Sequence, residues 1–340
     1  RQTENLIKRA FRVPGSLFIV PRLGYVLSPD LFSGFSSKMM DFSYSPTQQS
    51  IVDSIEAIMA NFDDDYWLVA DRDGRFPDEF YKAIADGGWL GIAMPEAYGG
   101  ADLGVADAAL MMQKISETGG GMSAASAVHI NIFGPQPIVV HGNDEQRSAW
   151  LPSLISGDVK CCFGITEPDA GLDTGSIRTR AEKTKNGYLV TGQKIWTSTA
   201  QVSDKILLLA RTSQPGPPAR HTDGLTLFYT DLDQRFVEIR EIEKMGRAAV
   251  DSNQLYIDGL TVPQEDRIGE EGKGFSYLLD SLNPERILIA AEALGIGKTA
   301  LQRAVDYAGE RIVFDRPIGK NQSIQHPLAE CWIELEAASL

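Results

Sequence analysis

Residues 161–199, CCFGITEPDAGLDTGSIRTRAEKTKNGYLVTGQKIWTST, contain two polar loops that each follow an apolar strand. The first loop is Gly164–Pro168, and the second is Ile195–Ser198. Between them lies Asn186-Gly187, a dipeptide that supplies the positive φ angles of a type I′ turn. We therefore predict a hairpin that brings both loops to the same end of a sheet. A planar, hydrogen-bonding ligand could lie between them.

Helical patterns precede and follow this strand-rich stretch. Before it, Ser45-Pro46 has the pattern of an N-cap and a first helical position, and an apolar stripe follows at helical spacing. After it, the helical period returns from Gly274, and a last helix begins near Ser323. This order predicts an α+β multidomain fold and differs from the βα alternation of a dinucleotide-binding sheet.

The changes of pattern divide the chain into four segments. Residues 1–40 are a leader or non-native segment, and residues 41–158 are an N-terminal helical domain. Residues 159–272 are a central domain of antiparallel strands, arranged as a β-barrel or sandwich, and residues 273–340 are a C-terminal helical segment. Short β-branched runs bounded by turn residues predict these strands: Tyr188–Ile195, Ile206–Ala210, Thr226–Thr230, Val237–Ile239 and Leu255–Ile257.

The composition argues against several classes of partner. The 340 residues carry a formal net charge of −14, whereas nucleic-acid binding requires a basic face. Three cysteines provide no disulfide framework, and the four histidines lack the spacing of metal ligands. No apolar run reaches the roughly 18 residues of a membrane-spanning helix. We therefore expect no nucleic acid, membrane or metal partner.

Residues 1–40 differ from the rest of the chain in charge. Arginine, lysine and serine recur there, and the acidic residues are Glu4 and Asp30. This balance is typical of a transit peptide and favours the mitochondrial matrix, with the cytoplasm and the peroxisome as alternatives. A non-native leader is the other interpretation, because the chain begins with Arg1 and Met39-Met40 precedes what looks like a fresh start.

The two polar loops carry groups that suit a heteroaromatic ligand. Thr166 and Ser198 follow apolar strands, and Trp196 lies two residues before Ser198. Short hydroxyls and free backbone N–H groups can bind the edge of a ring while a tryptophan covers its face. An ordinary barrel rim would have the same pattern, so spacing alone leaves both interpretations open.

Glu285 is the residue that points most directly to proton transfer. It lies three residues after Leu282 and four before Ile289, which places it on the apolar stripe of its helix. A buried carboxylate must be paired or protonated, and such a group can act as a general base. A structural ion pair with Arg286 is the alternative.

Gly295-Ile296-Gly297-Lys298-Thr299 has part of the pattern of a phosphate-binding loop. That loop needs a glycine at position 292, which is glutamate here, and it needs a preceding strand. This segment instead lies within a helical pattern. We interpret its glycines as positions of close helix packing.

Several motifs together resemble those of the acyl-CoA dehydrogenase family. They are TEPDAG at 166–171, GQKIWTS at 192–198, KMGR at 244–247, VP at 262–263, GKGF at 272–275 and RIVFDRPIGKNQSIQ at 311–325. Their order and spacing are similar to those of the family over residues 42–340. The resemblance implies an N-terminal helical domain, a central β domain and the first part of a C-terminal four-helix bundle. It also implies FAD-dependent oxidation of an acyl-CoA thioester to the trans-2-enoyl-CoA.

The resemblance also implies which residues bind FAD. One group matches the loop on the pyrimidine side of the flavin, a second matches residues beside the flavin ring and its N5, and a third reaches the FAD of a neighbouring subunit. The groups are, in turn, Phe163, Ile165 and Thr166; Trp196, Thr197 and Ser198; and Arg311, Phe314 and Gln322. Leu172 stands at a further position that usually faces both cofactor and substrate.

Asn283, Glu285 and Arg286 match a stretch that lines the acyl-CoA site in the family. The implied reaction has a base that removes the α-proton of the thioester while the β-hydride passes to flavin N5. Hydrogen bonds to the thioester carbonyl would stabilise the developing enolate. The implied partners are an acyl-CoA, an electron-transferring flavoprotein and further copies of the chain in a homodimer or homotetramer.

The chain departs from the family pattern in two ways. Leu172 stands where most members have serine, which puts one hydroxyl contact in doubt, and Asp315 stands where many have glycine. The chain also ends before the family's bundle does, and the later part carries the catalytic glutamate of most members. A minority, including isovaleryl- and long-chain-type enzymes, place the base where Glu285 stands. A base beyond Leu340 is therefore the alternative to Glu285.

Two further functions are compatible with the same motifs. Acyl-CoA oxidases and flavin monooxygenases share the architecture implied by the resemblance, and they would consume oxygen. An incomplete, non-catalytic chain is the third hypothesis, because half a bundle would leave an apolar face uncovered.

Overall fold

The computed structural model describes residues 42–214 and 220–340. The predicted leader, residues 1–40, lies outside the described residues. Helices, a sheet and helices again follow one another along the chain, which is the predicted α+β order.

Seven α-helices, counted from residue 42 onward, form the first region. They are α1 Pro46–Met59, α2 Asp64–Asp73, α3 Asp78–Asp86, α4 Val105–Ser116, α5 Gly121–Phe133, α6 Gln136–His141 and α7 Asp144–Ile155. A capping box starts α1, because the Gln48 backbone N–H donates to the Ser45 hydroxyl at 3.2 Å and the Ser45 N–H donates to the Gln48 side chain at 3.0 Å. Asn143 and Gln146 form the same arrangement at the start of α7.

Eight strands, counted over the described residues, form one sheet. They are β1 Cys161–Gly164, β2 Arg180–Thr184, β3 Gly187–Ser198, β4 Lys205–Arg211, β5 Leu225–Asp231, β6 Val237–Glu241, β7 Ser252–Pro263 and β8 Arg267–Ile268. The strand order is β6-β7-β3-β2-β4-β5-β8, and β1 pairs with β4. Because this path ends at β6 and β8, the barrel-like sheet is not closed.

Strand β4 is buried on both faces, as its uninterrupted apolar sequence requires. Leu207 and Leu209 belong to the core shared with the helices. Ile206 and Leu208 belong to a second core that is built from residues of the sheet and its loops. The sheet therefore bends around a core of its own while its other face packs against helices.

Two strand pairs, β1–β4 and β2–β4, depart from the predicted antiparallel arrangement. β1 pairs with β4 in parallel, with Phe163 opposite Leu207. The chain reaches β4 only after passing through the β2–β3 hairpin, and this return gives β1 and β4 the same direction. The short β1 carried no turn signal of its own that would have indicated its partner.

The β2–β3 hairpin forms where Asn186-Gly187 predicted it, but its turn is not of type I′. Thr184 pairs with Gly187, and the positive φ angle falls on Gly187, at 147°, rather than on Asn186. A Cβ at position 187 would lie 2.2 Å from the carbonyl oxygen of Val262. The glycine is therefore needed for the close approach of β7 rather than for the turn alone.

Two long helices form the last region. α8 spans Gly274–Glu310 and continues through Pro284, and α9 spans Gln322–Ser339. A small hairpin, β9 Ile312–Val313 and β10 Arg316–Pro317, joins them. α8 packs against α4 and α5. Within 42–214 and 220–340, no helix combines the length and the apolar character that crossing a membrane requires.

Gly295 lies where α8 crosses α4, and the close packing predicted for it is observed. A Cβ at this position would lie 2.1 Å from Ser116 Oγ and 2.3 Å from the carbonyl oxygen of Gln113. Because these atoms belong to a packed helix, we expect Gly295→Ala to lower the free energy of unfolding by about 1–3 kcal/mol in urea denaturation.

Gly309→Ala is the matched control on the same helix. A Cβ at position 309 would meet no atom within 4 Å. The control should therefore leave the free energy of unfolding unchanged or raise it by up to about 1 kcal/mol. If Gly295→Ala and Gly309→Ala changed the free energy of unfolding equally, close packing at the helix crossing would not be the cause.

Candidate functional site

The two polar loops lie side by side at one end of the sheet. The backbone N–H of Ile195 donates to the carbonyl oxygen of Thr166 at 2.9 Å, which joins the end of β3 to the residues after β1. Neither the Thr166 hydroxyl nor the Ser198 hydroxyl has a hydrogen-bond partner within residues 42–214 and 220–340. Both hydroxyls are therefore available to a ligand.

A buried ion pair, Lys194 and Glu167, holds the two loops together. Lys194 Nζ donates to Glu167 Oε1 at 2.9 Å and to the carbonyl oxygen of Ile165 at 3.0 Å. Glu167 also accepts the backbone N–H groups of Arg178 and Thr179, at 2.6 and 2.9 Å. Lys194 is fully buried, and Glu167 is nearly so. This pair fixes the shape of the predicted ligand site without facing it.

Sequence reasoning missed this pair, although β3 contained a signal. Tyr188 and Val190 face the interior, and Lys194 follows them at even spacing, so period-two alternation places it inside. A lysine at an inward position requires a buried partner. The partner, Glu167, lies in the other loop, and only the paired strands show that the two meet.

Burial and the charges of the pair shift the pKa of both side chains. Burial lowers the pKa of Lys194 to about 8, and the attraction of Glu167 opposes this shift. Burial alone would raise the pKa of Glu167, but the charge of Lys194 and the hydrogen bonds from the backbone outweigh it and hold that pKa below its usual 4.5. Glu167 is therefore ionised throughout the neutral range.

These pKa shifts predict that lowering the pH changes the free energy of unfolding in opposite directions in the wild type and in Lys194→Met. In the wild type, stabilisation by Glu167 is present above its unfolded pKa of 4.5 and is lost as pH falls through the lower folded pKa. Without Lys194, burial is uncompensated and the folded pKa should exceed 4.5. The free energy of unfolding of the variant should therefore rise as pH is lowered from neutral towards 4.5. Urea denaturation at several pH values measures this; parallel curves for the two proteins would contradict it.

Trp196 has a strained backbone and an open ring. Its φ angle is +61°, and the pairing of β3 with β7 shifts register between Lys194 and Thr197. This bulge turns the Trp196 side chain outward, and 59% of the residue is exposed. A positive φ on a bulky residue is rare and is concentrated at functional sites. The ring can therefore cover the face of a bound ligand.

Around Trp196, the other residues of the second loop face inward or across the sheet. The Thr197 hydroxyl is buried and has no partner, whereas its carbonyl oxygen accepts Asn253 Nδ2 at 2.9 Å. Ser198 lies opposite Ser252 on β7. Lys244 Nζ and Arg247 each donate to the Ser252 hydroxyl at 3.0 Å. Two basic side chains, Lys244 and Arg247, therefore lie near Ser198, with the Asp251 carboxylate close to both.

The residues of the first loop form one side of the site. The Phe163 ring contacts Phe133 of α5, with centroids 5.3 Å apart, and Ile165 is buried beneath the loop. Leu172 is fully exposed and lies beyond the turn made by Glu167 and Ala170. Unpartnered hydroxyls, an exposed indole and apolar walls fit a flavin, which combines a polar edge with an aromatic face.

Glu285 is less buried than the sequence predicted. It is half-exposed on α8, and it forms no ion pair among the described residues. Its neighbour Arg286 donates instead to Asn283 Oδ1 at 2.6 Å, so the predicted pair with Arg286 is not formed. The neighbouring Ile289 is itself exposed, whereas the buried residues of α8 on the side of Glu285 are Leu278, Ser281, Leu288, Glu292 and Gly295.

The third predicted group lies at the other end of α8. Arg311 ends the helix, and its backbone N–H donates to the carbonyl oxygen of Tyr307 at 2.8 Å. Phe314 and Asp315 form the β9–β10 turn with φ angles of +51° and +62°, and Phe314 is 94% exposed. Gln322 is exposed at the start of α9. These residues project from the surface and are not part of the cluster around Trp196.

Asp315 lies in the turn position where the sequence resemblance leads us to expect glycine. Both central residues have positive φ, as a type I′ turn requires, and aspartate tolerates this conformation better than most residues. The substitution therefore preserves the hairpin.

Among the described residues, no group of three or more histidine, cysteine, aspartate or glutamate side chains could hold a metal ion.

Comparisons with known proteins assign the chain's three regions to one family. Residues 45–158 match the acyl-CoA dehydrogenase N-terminal domain, 162–260 its middle domain and 272–340 its C-terminal domain. An acyl-CoA dehydrogenase of Bacillus subtilis is 35% identical over 271 residues, covering 79% of this chain and 70% of the relative. A mitochondrial isovaleryl-CoA dehydrogenase of Oryza sativa subsp. japonica is 30% identical over 329 residues, covering 96% and 77%. The structure of butyryl-CoA dehydrogenase from Megasphaera elsdenii is similar with a TM-score of 0.81 and 29% identity, covering 88% of this chain and 78% of that one.

Proposed function

Because the chain belongs to the acyl-CoA dehydrogenase family, we propose that it oxidises an acyl-CoA thioester to the trans-2-enoyl-CoA with FAD as cofactor. Family membership makes the chain an oxidoreductase and a flavoprotein. The observation that carries the proposal is the pair of unpartnered hydroxyls, on Thr166 and Ser198, beside the exposed ring of Trp196.

The residues of the two loops hold the cofactor in this proposal. Thr166 and Ser198 donate to polar atoms at the edge of the flavin, and Trp196 covers one face of the ring. Phe163 and Ile165 supply the apolar wall, and the backbone of Thr197 is held by Asn253. When bound, FAD supplies the acceptor for the β-hydride of the substrate.

Glu285 is proposed as the base that removes the α-proton. Its half-exposed position on α8 leaves the carboxylate accessible to a thioester. Removal of the α-proton places negative charge on the thioester oxygen, and hydrogen-bond donors directed at that oxygen lower the barrier. Asn283 and Arg286 are linked to each other at 2.6 Å, and we propose that they line the entrance for the acyl-CoA, with Leu172 on the opposite loop.

The partners follow from the same proposal. Arg311, Phe314 and Gln322 project from the surface and are proposed to reach the FAD of a neighbouring copy in a homodimer or homotetramer. An electron-transferring flavoprotein is proposed as the electron acceptor. The rice relative is mitochondrial, and with the composition of residues 1–40 this supports the mitochondrial matrix as the proposed location.

Anaerobic titration of the purified flavoprotein with acyl-CoA thioesters tests this function. We expect the absorbance of oxidised flavin to fall on addition of substrate and the trans-2-enoyl-CoA to accumulate when an electron-accepting dye is supplied. Oxygen consumption with release of peroxide would instead indicate an oxidase, and hydroxylated product would indicate a monooxygenase. A flavin that no thioester reduces would overturn the proposed reaction.

The proposed contact between Arg311 and the FAD of a neighbouring copy predicts an effect on how tightly FAD is bound. Removing the guanidinium in Arg311→Ala should weaken FAD retention, because a charged hydrogen bond to a buried anion contributes about 1.5–3 kcal/mol, roughly a ten- to hundredfold change in Kd. The flavin-to-protein ratio after gel filtration measures this. Arg240→Ala, which removes a surface ion pair with Glu238, is the control. Unchanged flavin content in Arg311→Ala would contradict the assignment.

A further inference from the structure

A second carboxylate on α8 is more deeply buried than Glu285. Glu292 is fully buried, and its Oε1 lies 2.6 Å from Nδ1 of His129 on α5. Its second oxygen, Oε2, is buried without any partner. Neither residue carries a role in the function proposed above. Burying a carboxylate is costly, so a pair of this kind within an apolar helix interface requires an explanation.

The pair lies next to the site through a chain of aromatic contacts. The Phe163 ring contacts Phe133 at 5.3 Å, and the Phe133 ring contacts His129 at 4.6 Å, measured between centroids. Phe163 is in the loop proposed to hold the flavin. His129 is therefore two ring contacts away from the place where the thioester must meet the cofactor.

Among the described residues, the pair is also one of two polar contacts between α5 and α8. In the other contact, Ser281 Oγ donates to the carbonyl oxygen of Gly134 at 3.2 Å. Glu285 lies between these two links. Glu292 follows Glu285 by seven residues, which is two helical turns on the same side of α8 and about 10 Å along its axis. Under the proposed function, an acyl chain that starts at Glu285 and follows α8 for two turns reaches the level of His129.

His129 is held in the orientation of a recognition group. Its Nδ1 is bound by the buried carboxylate, and its Nε2 has no partner among the residues that the structure describes. The His129 side chain is 14% exposed, so the imidazole borders open space while Glu292 does not. A histidine oriented by a carboxylate on one nitrogen presents the other nitrogen to a ligand.

We propose that His129, positioned by Glu292, binds a hydroxyl group on the distal part of the acyl chain, so that the preferred substrate is a hydroxylated acyl-CoA thioester. This inference rests on the proposed dehydrogenation. A hydroxyl both donates and accepts, so it can pair with Nε2 in either tautomer of the ring. A plain methyl end would cover Nε2 without giving it a partner, which disfavours an unsubstituted chain of the same length.

Paired substrates test the proposal directly. Butyryl-, hexanoyl- and octanoyl-CoA are compared with their ω-hydroxy forms, with kcat/KM measured for each. We expect a preference for the hydroxylated member of about ten- to hundredfold at the chain length that reaches His129. The absence of any preference at all three lengths would overturn the proposal.

The double variant His129→Phe/Glu292→Met removes the polar pair without leaving an unpaired charge. Phenylalanine keeps the ring contact with Phe133, and replacing a buried ion pair by apolar residues is often neutral for stability. In this variant, the ratio of kcat/KM for the hydroxylated substrate to kcat/KM for the plain substrate should fall to about one or below. A preference that persists would overturn the proposal and leave the pair as a helix clamp only.

His141→Gln is the matched control, because it alters another histidine–carboxylate pair, with Asp280 at 2.7 Å, that is not part of the ring contacts joining Phe163, Phe133 and His129. His141→Gln should keep the wild-type preference for the hydroxylated substrate. Loss of the preference in this control would contradict a specific role for His129.

Calorimetric binding of non-reactive thioether analogues, with and without the ω-hydroxyl, separates the two proposals. If no thioester reduces the flavin, the proposed reaction fails, while a hydroxyl preference in binding would still support the pair.

Discussion

Glu285→Gln is expected to lower kcat for acyl-CoA oxidation by about 10²–10⁴-fold, the usual contribution of a positioned general base. Glutamine has nearly the same shape, but it cannot accept the α-proton. Because Glu285 is half-exposed and forms no ion pair among the described residues, the free energy of unfolding should stay within about 0.5 kcal/mol of the wild type. Stopped-flow measurement of flavin reduction reports the chemical step separately from product release.

Glu310→Gln provides the control on the same helix, because Glu310 is exposed and lies at the far end of α8. It should leave flavin reduction unchanged. Normal turnover in Glu285→Gln, with flavin content and thioester binding intact, would show that another group removes the proton. The proposal of Glu285 as base would then fail, whereas the family assignment would stand.

Lys194→Met is expected to lower the free energy of unfolding by about 3–5 kcal/mol, because it leaves the buried Glu167 carboxylate without its counter-ion. The two loops also lose the link from Lys194 Nζ to the carbonyl oxygen of Ile165. We therefore expect weaker flavin retention together with the loss of stability. Urea denaturation of the flavin-free protein isolates the first effect, and flavin titration isolates the second.

Arg240→Met is the comparison for a surface pair. Arg240 and Glu238 are 2.7 Å apart on β6, with more than half of each side chain exposed. Exposed pairs contribute about 0–1 kcal/mol, so this substitution should have little effect. A similar small effect in Lys194→Met would show that solvent reaches the Glu167 carboxylate, which would contradict its role as a buried link between the loops.

The placement of the two polar loops at one end of the sheet was predictable because their strands and the hairpin between them are local in sequence. The strands around Thr166 and Ser198 have apolar runs bounded by turn residues, and the hairpin between them returns the chain. The positive φ of Trp196 was not predictable, since it arises from a register shift between β3 and β7, whose residues are about sixty positions apart. Pairing between distant strands determines which way that ring points.

The error on Glu285 has a different physical cause. Leu282 and Ile289, the apolar neighbours that suggested a buried position, lie at the margin of the buried side of α8 and are partly or fully exposed, whereas Glu285 lies on the line that faces α4 and α5 and is only half-buried. That line passes through Ser281, Leu288 and Glu292, two of which are polar. Glu292 entered the sequence reasoning only as the residue that excludes a phosphate-binding loop. Its importance depends on His129, which is 163 residues away in the chain.

The length of α8 has a consequence for how mixed assemblies would behave. This single helix has 37 residues, and Glu285 and Arg311 are separated along it by about 39 Å, too far for both to serve one reaction centre within a chain. Under the proposed function, each chain gives its carboxylate to one centre and its guanidinium to the next. Co-expression of Glu285→Gln with Arg311→Ala would then yield heteromers in which one centre receives both intact groups. Two alleles that are each impaired alone would complement one another.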